Sequence, residues 1–320
     1  MAENLARIVI MGIGGGGNNC IKRMIDCGLK GIEFYAVNTD LQQLMRMQNC
    51  QTIQIGEKIT RGLGAGGDPE IGRRAVTESR DEIGKVLEGA DIALITTGLG
   101  GGTGTGATPE IAAISKNLDV LTISVVTLPF KFEGRKRKEQ AIEGLKKVLE
   151  HADSIIVISN ELLLKNSDAN TGFLEAFAMA DDVAKDAVQA ITDLLTQTGL
   201  VAGLIHVDLE DIKTILKDAG PTLIGIGYGQ GENRALDAAK QALHSPLLEI
   251  GNIKGAKRIL VNITGNENLT LYETEKAASY ITNEADPDAN IIFGSTIIPE
   301  WDEKIKITVL IGGLQSDLTY

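Results

Sequence analysis

Short apolar, β-branched runs alternate with amphipathic segments through the first half of the chain. Six runs have the length and composition of strands, and several are apolar throughout, as strands covered on both faces are. They are Arg7–Ile13, Glu33–Val37, Thr52–Ile55, Asp91–Thr97, Val120–Leu128 and Ser154–Ser159. Helical patterns lie between them, for example Pro69–Glu88 and Glu133–His151. This alternation predicts an α/β domain in which a parallel sheet carries helices on both sides.

A long helical pattern, Phe173–Thr196, follows the last of these strands, and Asn170 or Thr171 is a candidate cap for its start. Beyond it the pattern is that of a smaller α+β domain. The predicted helices there are Asp208–Asp218, Asn233–His244 and Leu269–Glu284, and the predicted strands are Thr222–Tyr228, Arg258–Thr264, Asn290–Ile298 and Lys304–Ile311. We therefore expect a first domain over 1–171, a connecting helix over 172–198 and a second domain over 199–320.

The composition narrows the classes of function. With 320 residues, 43% of them hydrophobic, the chain can bury the cores of two domains. Its 31 Lys and Arg against 43 Asp and Glu give a net charge of −12, which argues against a general nucleic-acid binder and against adhesion to anionic lipid. Three cysteines without a CxxC pair and three scattered histidines predict neither a disulfide framework nor a zinc site.

The amino-terminal sequence MAENLARIVIMG leads directly into a strand pattern and has no basic segment followed by an apolar stretch. No run approaches the roughly 20 apolar residues that span a bilayer. These features predict a cytoplasmic protein that does not insert directly into a membrane.

The first chemical signal is the glycine-rich segment Gly12–Asn19, which follows the first predicted strand and opens a helix. Glycine lets backbone N–H groups approach an anion, and the helix N-terminus adds a favourable dipole. Gly12, Gly14 and Gly17 also satisfy GxGxxG, and Asp40 lies about 20 residues downstream, so a nicotinamide-dependent oxidoreductase is one alternative. A tight strand-to-helix turn without a ligand is another.

A second glycine-rich segment, Gly100–Gly106, follows the fourth predicted strand and again opens a helix, with Pro109 expected in its first turn. Two such loops at the ends of two strands suit a longer phosphate chain than the pyrophosphate of a dinucleotide. The hydroxyls of Thr103 and Thr105 are candidate donors to phosphate oxygens. Neither loop carries the lysine of GxxxxGK[ST], so the chain is not predicted to be a P-loop protein.

The second loop, GGGTGTG, resembles the tubulin signature, and further motifs extend the resemblance along nearly the whole chain. They are AVNTD at 36–40, TRGLGAG at 60–66, PFKFEGRKR at 129–137, GENRA at 231–235, SPLLE at 245–249 and VNITG at 261–265. Together they resemble the FtsZ family of bacterial tubulin homologues. This resemblance implies a Rossmann-like GTPase domain, a long connecting helix and a smaller α+β domain.

The resemblance also implies a site for GTP or GDP with Mg²⁺. The residues matching the phosphate-binding loops of the family are Gly15, Gly16, Gly17, Asn18, Asn19, Gly102, Thr103 and Gly104. Glu133 and Arg137 match positions near the ribose and phosphates, and Asp181 matches a position that reads the guanine. Taken without the glycine loops, Glu133 and Arg137 favour an ordinary surface i, i+4 pair, and Asp181 favours the polar side of a helix.

Asp208 and Asp211 have two interpretations. Their spacing at a predicted helix start is that of a capping box. In the FtsZ family, two aspartates at this place activate the water that attacks the γ-phosphate held by the next subunit. The resemblance therefore implies a head-to-tail homopolymer with a shared active site, located at the mid-cell division site with its regulators and adaptors.

The sequence departs from the family before these aspartates. QTGLVAGLIHVDLED is about four residues longer than the usual loop, lacks its proline and has His206 in place of Asn. A GTP-binding filament protein with little or no hydrolysis is therefore the second hypothesis. Members of the family usually continue beyond the position of Tyr320 through a linker to an adaptor-docking peptide, so either a truncated core or a different mode of recruitment is expected.

Overall fold

The computed structural model describes residues 6–28, 32–165, 172–196, 207–245 and 256–314. The chain divides into two compact units, residues 1–189 and 190–319, and the division falls within one long helix. The predicted caps Asn170 and Thr171, and the loop carrying His206, lie outside the described residues. The three-part division at 171 and 198 stays a prediction.

The first unit is built on a parallel sheet, as the alternating pattern predicts. Its strands are β1 (Ile8–Ile13), β2 (Glu33–Asn38), β3 (Gln51–Gln54), β4 (Ile92–Gly98), β5 (Leu121–Leu128) and β6 (Ser154–Ser159). They lie in the order β3-β2-β1-β4-β5-β6, and each neighbouring pair is parallel. Every residue of β1 is buried, which explains why this run carries no alternating polar positions.

Helices flank this sheet and cover its apolar residues. They are α1 (Gly14–Asp26), α2 (Leu41–Leu44), α3 (Glu57–Thr60), α4 (Pro69–Glu78), α5 (Arg80–Leu87), α6 (Thr103–Asn117), α7 (Arg135–Leu149), α8 (Asn160–Lys165) and α9 (Phe173–Thr196), with a 3-10 turn at Lys131–Glu133. Val9, Met11 and Ile13 of β1 share one core cluster with residues of α4, α5 and α6. The sheet and its helices confirm the predicted α/β architecture.

Two predicted helices are interrupted in the structure. The pattern Pro69–Glu88 is wrong as a single helix, because it breaks at Ser79 (φ −103°, ψ 19°), whose hydroxyl accepts a hydrogen bond from the Gly56 N–H at 3.1 Å. The predicted helix at Glu133–His151 begins as the 3-10 turn instead, because Gly134 adopts φ +101° and separates that turn from α7. Neither break disturbs the apolar spacing on which the two predictions rested.

The second unit confirms the predicted smaller α+β fold. Its elements are α10 (Leu209–Leu216), β7 (Gly220–Pro221), β8 (Leu223–Gly229), α11 (Arg234–Leu243), β9 (Arg258–Gly265), α12 (Leu271–Glu284), β10 (Asn290–Ile297) and β11 (Ile305–Gly312). Four strands form a mixed sheet in the order β10-β9-β11-β8, with β10 parallel to β9 and the other pairs antiparallel. Ile259 and Ile307 lie in its core, which includes residues of α11 and α12.

A buried ion pair fixes one side of the second unit. Arg234 Nε lies 2.6 Å from Glu273 Oε1, and the two side chains are only 9% and 19% exposed. The Arg234 guanidinium also donates to the backbone carbonyls of Glu303 and Asn268. The hydrogen bond from Arg234 is the main reason why the pKa of Glu273 falls to about 2. The pair therefore stabilises the unit wherever Glu273 is ionised.

No helix within the described ranges is long and apolar enough to cross a membrane.

Candidate functional site

The order of the strands creates a crevice between β1 and β4. These two strands are neighbours in the sheet, yet the chain passes from β1 to β2 on one side and from β4 to β5 on the other. Ligands of open α/β sheets bind at the carboxyl ends of the strands where the order reverses in this way. Both glycine loops follow these two strands. Gly14 adopts φ +69°, and a Cβ added there would lie 3.1 Å from the Gly104 amide nitrogen, so the loops lie side by side.

A pocket of about 510 Å³ opens over these loops, within the first unit. This volume is in the usual range for a small-molecule site. The predicted site residues that line the pocket are Gly15, Gly16, Asn19, Gly102, Thr103, Gly104, Glu133, Arg137 and Asp181. Gly17 and Asn18 are buried behind the first loop and do not line it. Asp208 and Asp211 belong to the second unit.

Two helices begin at the pocket without a side-chain cap. α1 starts at Gly14 and α6 at Thr103, and neither has a capping side-chain hydrogen bond or an acidic residue in its first turn. Asp68 caps α4 and Thr270 caps α12, whereas α5, α7 and α11 also begin without a side-chain cap. What distinguishes α1 and α6 is that the first residues of both helices line the pocket. The first N–H groups of a helix need acceptors, and the positive end of the dipole favours an anion. The two helix starts are therefore suited to bind phosphate oxygens.

Asn18 forms hydrogen bonds within the protein and does not line the pocket. Its amide donates to the Gly12 carbonyl at 2.7 Å and accepts from Asn38 Nδ2 at 2.8 Å. Asn38 also donates to Gln43 Oε1 at 3.1 Å, and both Asn38 and Gln43 line the pocket. Asn18 thus ties the turn after β1 to the end of β2. The sequence pattern could not separate this buried position from the neighbouring exposed Asn19.

Only one of the two candidate threonines of the second loop lines the pocket. The Thr105 hydroxyl is buried and accepts a hydrogen bond from the Gly100 N–H at 2.8 Å, which closes the loop on itself. Thr103, the first residue of α6, lines the pocket. Because the helix begins this early, Pro109 lies inside it, and the expectation of Pro109 in the first turn is wrong.

Glu133 and Arg137 form an ion pair and also line the pocket, so their two sequence interpretations are compatible. Arg137 Nε lies 3.1 Å from Glu133 Oε2, while Glu133 Oε1 accepts the Phe130 N–H at 2.8 Å. The Glu133 side chain is almost buried and that of Arg137 is half exposed. Glu133 therefore holds the half-exposed Arg137 guanidinium in the lining of the pocket.

Asp181 is an acidic group that the protein only partly compensates. It lies on α9, lines the pocket, and its side chain is 22% exposed. Burial raises its pKa to about 6; Arg23 opposes this shift, and Asp182 adds to it. Arg23 Nε is 3.9 Å from Asp181, whereas Arg23 Nη1 lies 2.6 Å from the Asp182 carboxylate. The cation is thus engaged mainly by Asp182, and Asp181 remains able to accept hydrogen bonds from a ligand.

Asn160 is a pocket residue to which sequence reasoning assigned no role. It begins α8 directly after β6, is 6% exposed, and its Oδ1 has no hydrogen-bond partner among the described residues. A buried amide oxygen without a donor is destabilising, so a ligand donor at this point is favoured. One signal in the sequence was its position at the carboxyl end of a predicted parallel strand. Phe177, also in the pocket, adds an aromatic ring that lies 5.1 Å from that of Phe130.

The aspartates of the second unit form the predicted capping box. Asp208 Oδ1 accepts the Asp211 N–H at 2.8 Å, and Asp211 Oδ2 accepts the Asp208 N–H at 3.0 Å. Asp208 is exposed and Asp211 is partly exposed. Each carboxylate uses one oxygen in these two bonds, and the second oxygen of each has no hydrogen-bond partner within the described ranges.

Comparison with known proteins gives two family matches that together span most of the chain. The Tubulin/FtsZ family GTPase domain matches residues 7–168, and the FtsZ family C-terminal domain matches residues 220–315. A solved structure of FtsZ from M. jannaschii, an empty dimer, is 42% identical over 97% of this chain and 89% of its own, with a TM-score of 0.88. CetZ2 from Haloferax volcanii, solved as a GTPγS-bound protofilament, is 20% identical over 97% of this chain and 94% of its own, with a TM-score of 0.80, which indicates a shared fold.

Proposed function

The chain belongs to the Tubulin/FtsZ family, and from that premise we propose that it is a GTPase whose active site is completed when copies join head to tail. Membership makes it a GTP-binding protein of a cytoskeletal family. The proposal adds polymerisation, the shared active site, and a role in the cell-division ring in the cytoplasm at mid-cell. Division-ring regulators and adaptors are the further partners proposed.

The observation that carries nucleotide binding is the pair of uncapped helix starts over one pocket. α1 and α6 direct their first N–H groups to the crevice between β1 and β4. One uncapped helix suits a single phosphate group, whereas two neighbouring helix starts suit a di- or triphosphate. Arg137, which lines the same pocket, supplies a further positive charge. This arrangement supports GTP or GDP and leaves the nicotinamide alternative, which uses one loop, without a role for the second.

Selection of guanine is proposed for three further side chains that line the pocket. The Asp181 carboxylate accepts from the N1–H and 2-amino groups of guanine, which adenine does not offer in that arrangement. Asn160 Oδ1 supplies a second acceptor, and Phe177 an aromatic surface. In the part of the chain that is described, Asn160 Oδ1 has no donor and Asp181 has only Arg23 at 3.9 Å, so donors on the ligand would compensate the desolvation of both acceptors.

Mg²⁺ fits this pocket as a companion of the phosphates. Among the described residues there is no group of three or more His, Cys, Asp or Glu that could hold a metal. Mg²⁺ usually retains water and is bound through one or two carboxylates together with substrate phosphates, so it does not require a cage of protein ligands. Asp40 also lines the pocket, where its carboxylate caps α2 and accepts hydrogen bonds from the backbone N–H and the side-chain amide of Gln43. When bound, the ion neutralises charge on the phosphates.

Hydrolysis is proposed to depend on Asp208 and Asp211 of a second copy. Their free carboxylate oxygens suit the orientation of an attacking water, and catalysis then consists of positioning and charge stabilisation. A contact that joins two different surfaces of the same chain is heterologous and propagates as an open filament. The neighbour solved as an FtsZ dimer supports self-association.

Asp208→Asn separates catalysis from the helix cap. Asparagine caps a helix about as well as aspartate but carries no charge. We expect the variant to keep its unfolding temperature and to lose about 100-fold or more in phosphate release. Asp208→Ala should lose both activity and about 1 kcal/mol of stability. Glu210→Gln, at an exposed acid of the same turn that pairs with Lys213, is the matched control with activity retained.

The measurement is phosphate release per subunit against protein concentration in GTP and Mg²⁺, with sedimentation of polymer in parallel. A shared site requires turnover per subunit to rise with concentration. Flat turnover, or wild-type activity in Asp208→Asn, would contradict the mechanism. Sedimentable filaments in GTP without phosphate release would instead support the second hypothesis, a filament protein with little hydrolysis, which the altered sequence around His206 motivates.

A further inference from the structure

Thr39 does not line the pocket, but it is hydrogen-bonded to two segments that do. It follows β2 directly and is fully buried. Its hydroxyl lies 2.6 Å from Thr103 Oγ1 in the second glycine loop. Its carbonyl accepts hydrogen bonds from the Gly64 N–H and the Thr60 hydroxyl, both at 3.2 Å. Gly64 and Thr103 are pocket residues on separate parts of the chain, and Thr39 bonds to both.

Either of the two hydroxyls could donate the hydrogen bond between them, and the choice decides where the Thr103 proton points. Each has one proton, so one of them donates to the other and the acceptor keeps its own proton for a third group. Thr103 is the one hydrogen-bond partner of the Thr39 hydroxyl in the part of the chain that the structure describes. If Thr103 donated inward, its lone pairs would face the pocket and repel a phosphate oxygen. If Thr39 donates, the Thr103 proton is free to point into the pocket.

We propose that Thr39 is a positioning residue for the nucleotide phosphates: its hydroxyl donates to Thr103 Oγ1 and directs the Thr103 proton to a phosphate oxygen. An accepted hydrogen bond also polarises the Thr103 hydroxyl and makes it a stronger donor. Burial of Thr39 excludes water from the inner end of this pair, so water cannot take over its function. The inference rests on the proposed binding of a guanine nucleotide in this pocket.

The test is a double-mutant cycle on the full chain, with GDP affinity measured by calorimetry. Thr39→Val removes the hydroxyl at nearly constant volume, and we expect GDP to bind about five- to tenfold more weakly. Thr103→Val should weaken GDP by at least as much. Adding Thr39→Val to Thr103→Val should change nothing further, because the proton that Thr39 directs is gone. Thr39→Ser, which restores a hydroxyl, should recover most of the affinity.

Two controls separate positioning from damage to the fold. Guanosine has no phosphate, so its affinity, measured by ligand-observed NMR, should be equal in wild type and Thr39→Val. Thr108→Val replaces a buried threonine of α6 whose hydroxyl has no partner among the described residues, and GDP affinity should be unchanged. If Thr39→Val fails to fold, Thr39→Ala removes the same hydroxyl and takes its place in the cycle.

Three results would overturn the positioning role. The first is that Thr39→Val binds GDP with wild-type affinity. The second is that Thr39→Val lowers GDP affinity by the same factor in the wild type and in Thr103→Val. The third is that Thr39→Val weakens guanosine binding as much as GDP binding. Absence of GDP binding in the wild type would instead overturn the proposed function, and the positioning role with it. The wild-type titration therefore distinguishes the two failures.

Discussion

Asp181→Asn should make the empty protein more stable and its binding of GDP weaker. In the unfolded chain the carboxyl ionises near its ordinary pKa of 3.8, whereas burial raises the folded pKa to about 6. Above pH 6 the folded protein therefore holds a partly buried charge that the unfolded chain keeps in water. This charge destabilises the fold at neutral pH, and the destabilisation disappears as pH falls through about 6 toward 4, because the folded carboxyl takes up its proton first.

The size of the effect follows from the two pKa values. A shift from 3.8 to about 6 corresponds to an upper bound of about 3 kcal/mol at neutral pH. The side chain is 22% exposed, and solvent reduces this figure, so we expect about 1 to 2 kcal/mol. Asparagine has nearly the same volume and does not ionise. The variant should unfold about 2 to 8 °C higher at pH 7.5 without nucleotide, and this gain should shrink at pH 5.

Binding should change in the opposite direction. Hydrogen bonds to a charged acceptor contribute about 1.5 to 3 kcal/mol, so GDP should bind about 10- to 150-fold more weakly to Asp181→Asn at pH 7.5. The affinity of the wild type for GDP should fall as pH drops below about 6, while that of the variant should not.

XDP has a carbonyl where GDP has its 2-amino group, and the asparagine amide can donate to it. The preference for GDP over XDP should therefore narrow or reverse.

The assays are thermal unfolding with and without GDP, and calorimetric titration with GDP and XDP at pH 5.5 and 7.5. Asp186→Asn is the matched control: Asp186 is another carboxylate of α9, 49% exposed, paired with Lys185 and outside the pocket. Its loss should change GDP affinity and stability by less than about 1 kcal/mol. If Asp181→Asn lowered the unfolding temperature of the empty protein, or bound GDP as the wild type does, the assignment of Asp181 would be wrong.

Two further predictions concern a glycine of the second glycine loop and the ion pair of the second unit. Gly104→Ala should abolish GDP binding and destabilise the protein by about 1 to 3 kcal/mol, because the added Cβ would overlap the hydroxyl of Thr97. Calorimetry measures the loss of binding, and thermal unfolding measures the loss of stability. Gly84→Ala is the control: Gly84 lies in open space on α5, so this substitution should be neutral or stabilising. Arg234→Met should destabilise the protein by about 1 to 3 kcal/mol at pH 7, because the partly buried Glu273 loses its cation and keeps only its hydrogen bonds from Thr270; denaturant titration measures this loss. The wild type should lose the contribution of this pair as pH falls from 4.5 through about 2, and the variant should not.

The sheet and the glycine loops were predictable because the signals are local. β1 is apolar at every position, which only a strand covered on both faces requires. The breaks in helices were not predictable in the same way. Ser79 interrupts a helical pattern because its hydroxyl binds the N–H of Gly56, a residue 23 positions earlier. A contact of that kind depends on the tertiary fold and has no periodic signal in the sequence.

The candidate site shows the same limit at the level of single side chains. Asn18 and Asn19 are adjacent in the motif, but one lies behind the loop and the other in the pocket, because successive residues of a helix point in directions about 100° apart. Asn160 received no assigned role, since its signal is an unpaired Oδ1 that only the packed structure reveals. Thr39 likewise acts through a contact with a residue 64 positions away.

Four groups around the pocket lack a full set of partners among the described residues. The helix starts at Gly14 and Thr103 have no caps, Asn160 Oδ1 has no donor among the described residues, and Asp181 holds a raised pKa. Each of these states is destabilising in the empty protein, and a nucleotide would relieve all of them at once. Binding of a ligand to the folded state alone adds stability in proportion to the logarithm of its concentration over Kd. The unfolding temperature should therefore rise with GDP concentration, and the rise should be smaller in Asp181→Asn than in the wild type, since that variant removes one of the groups that the ligand satisfies.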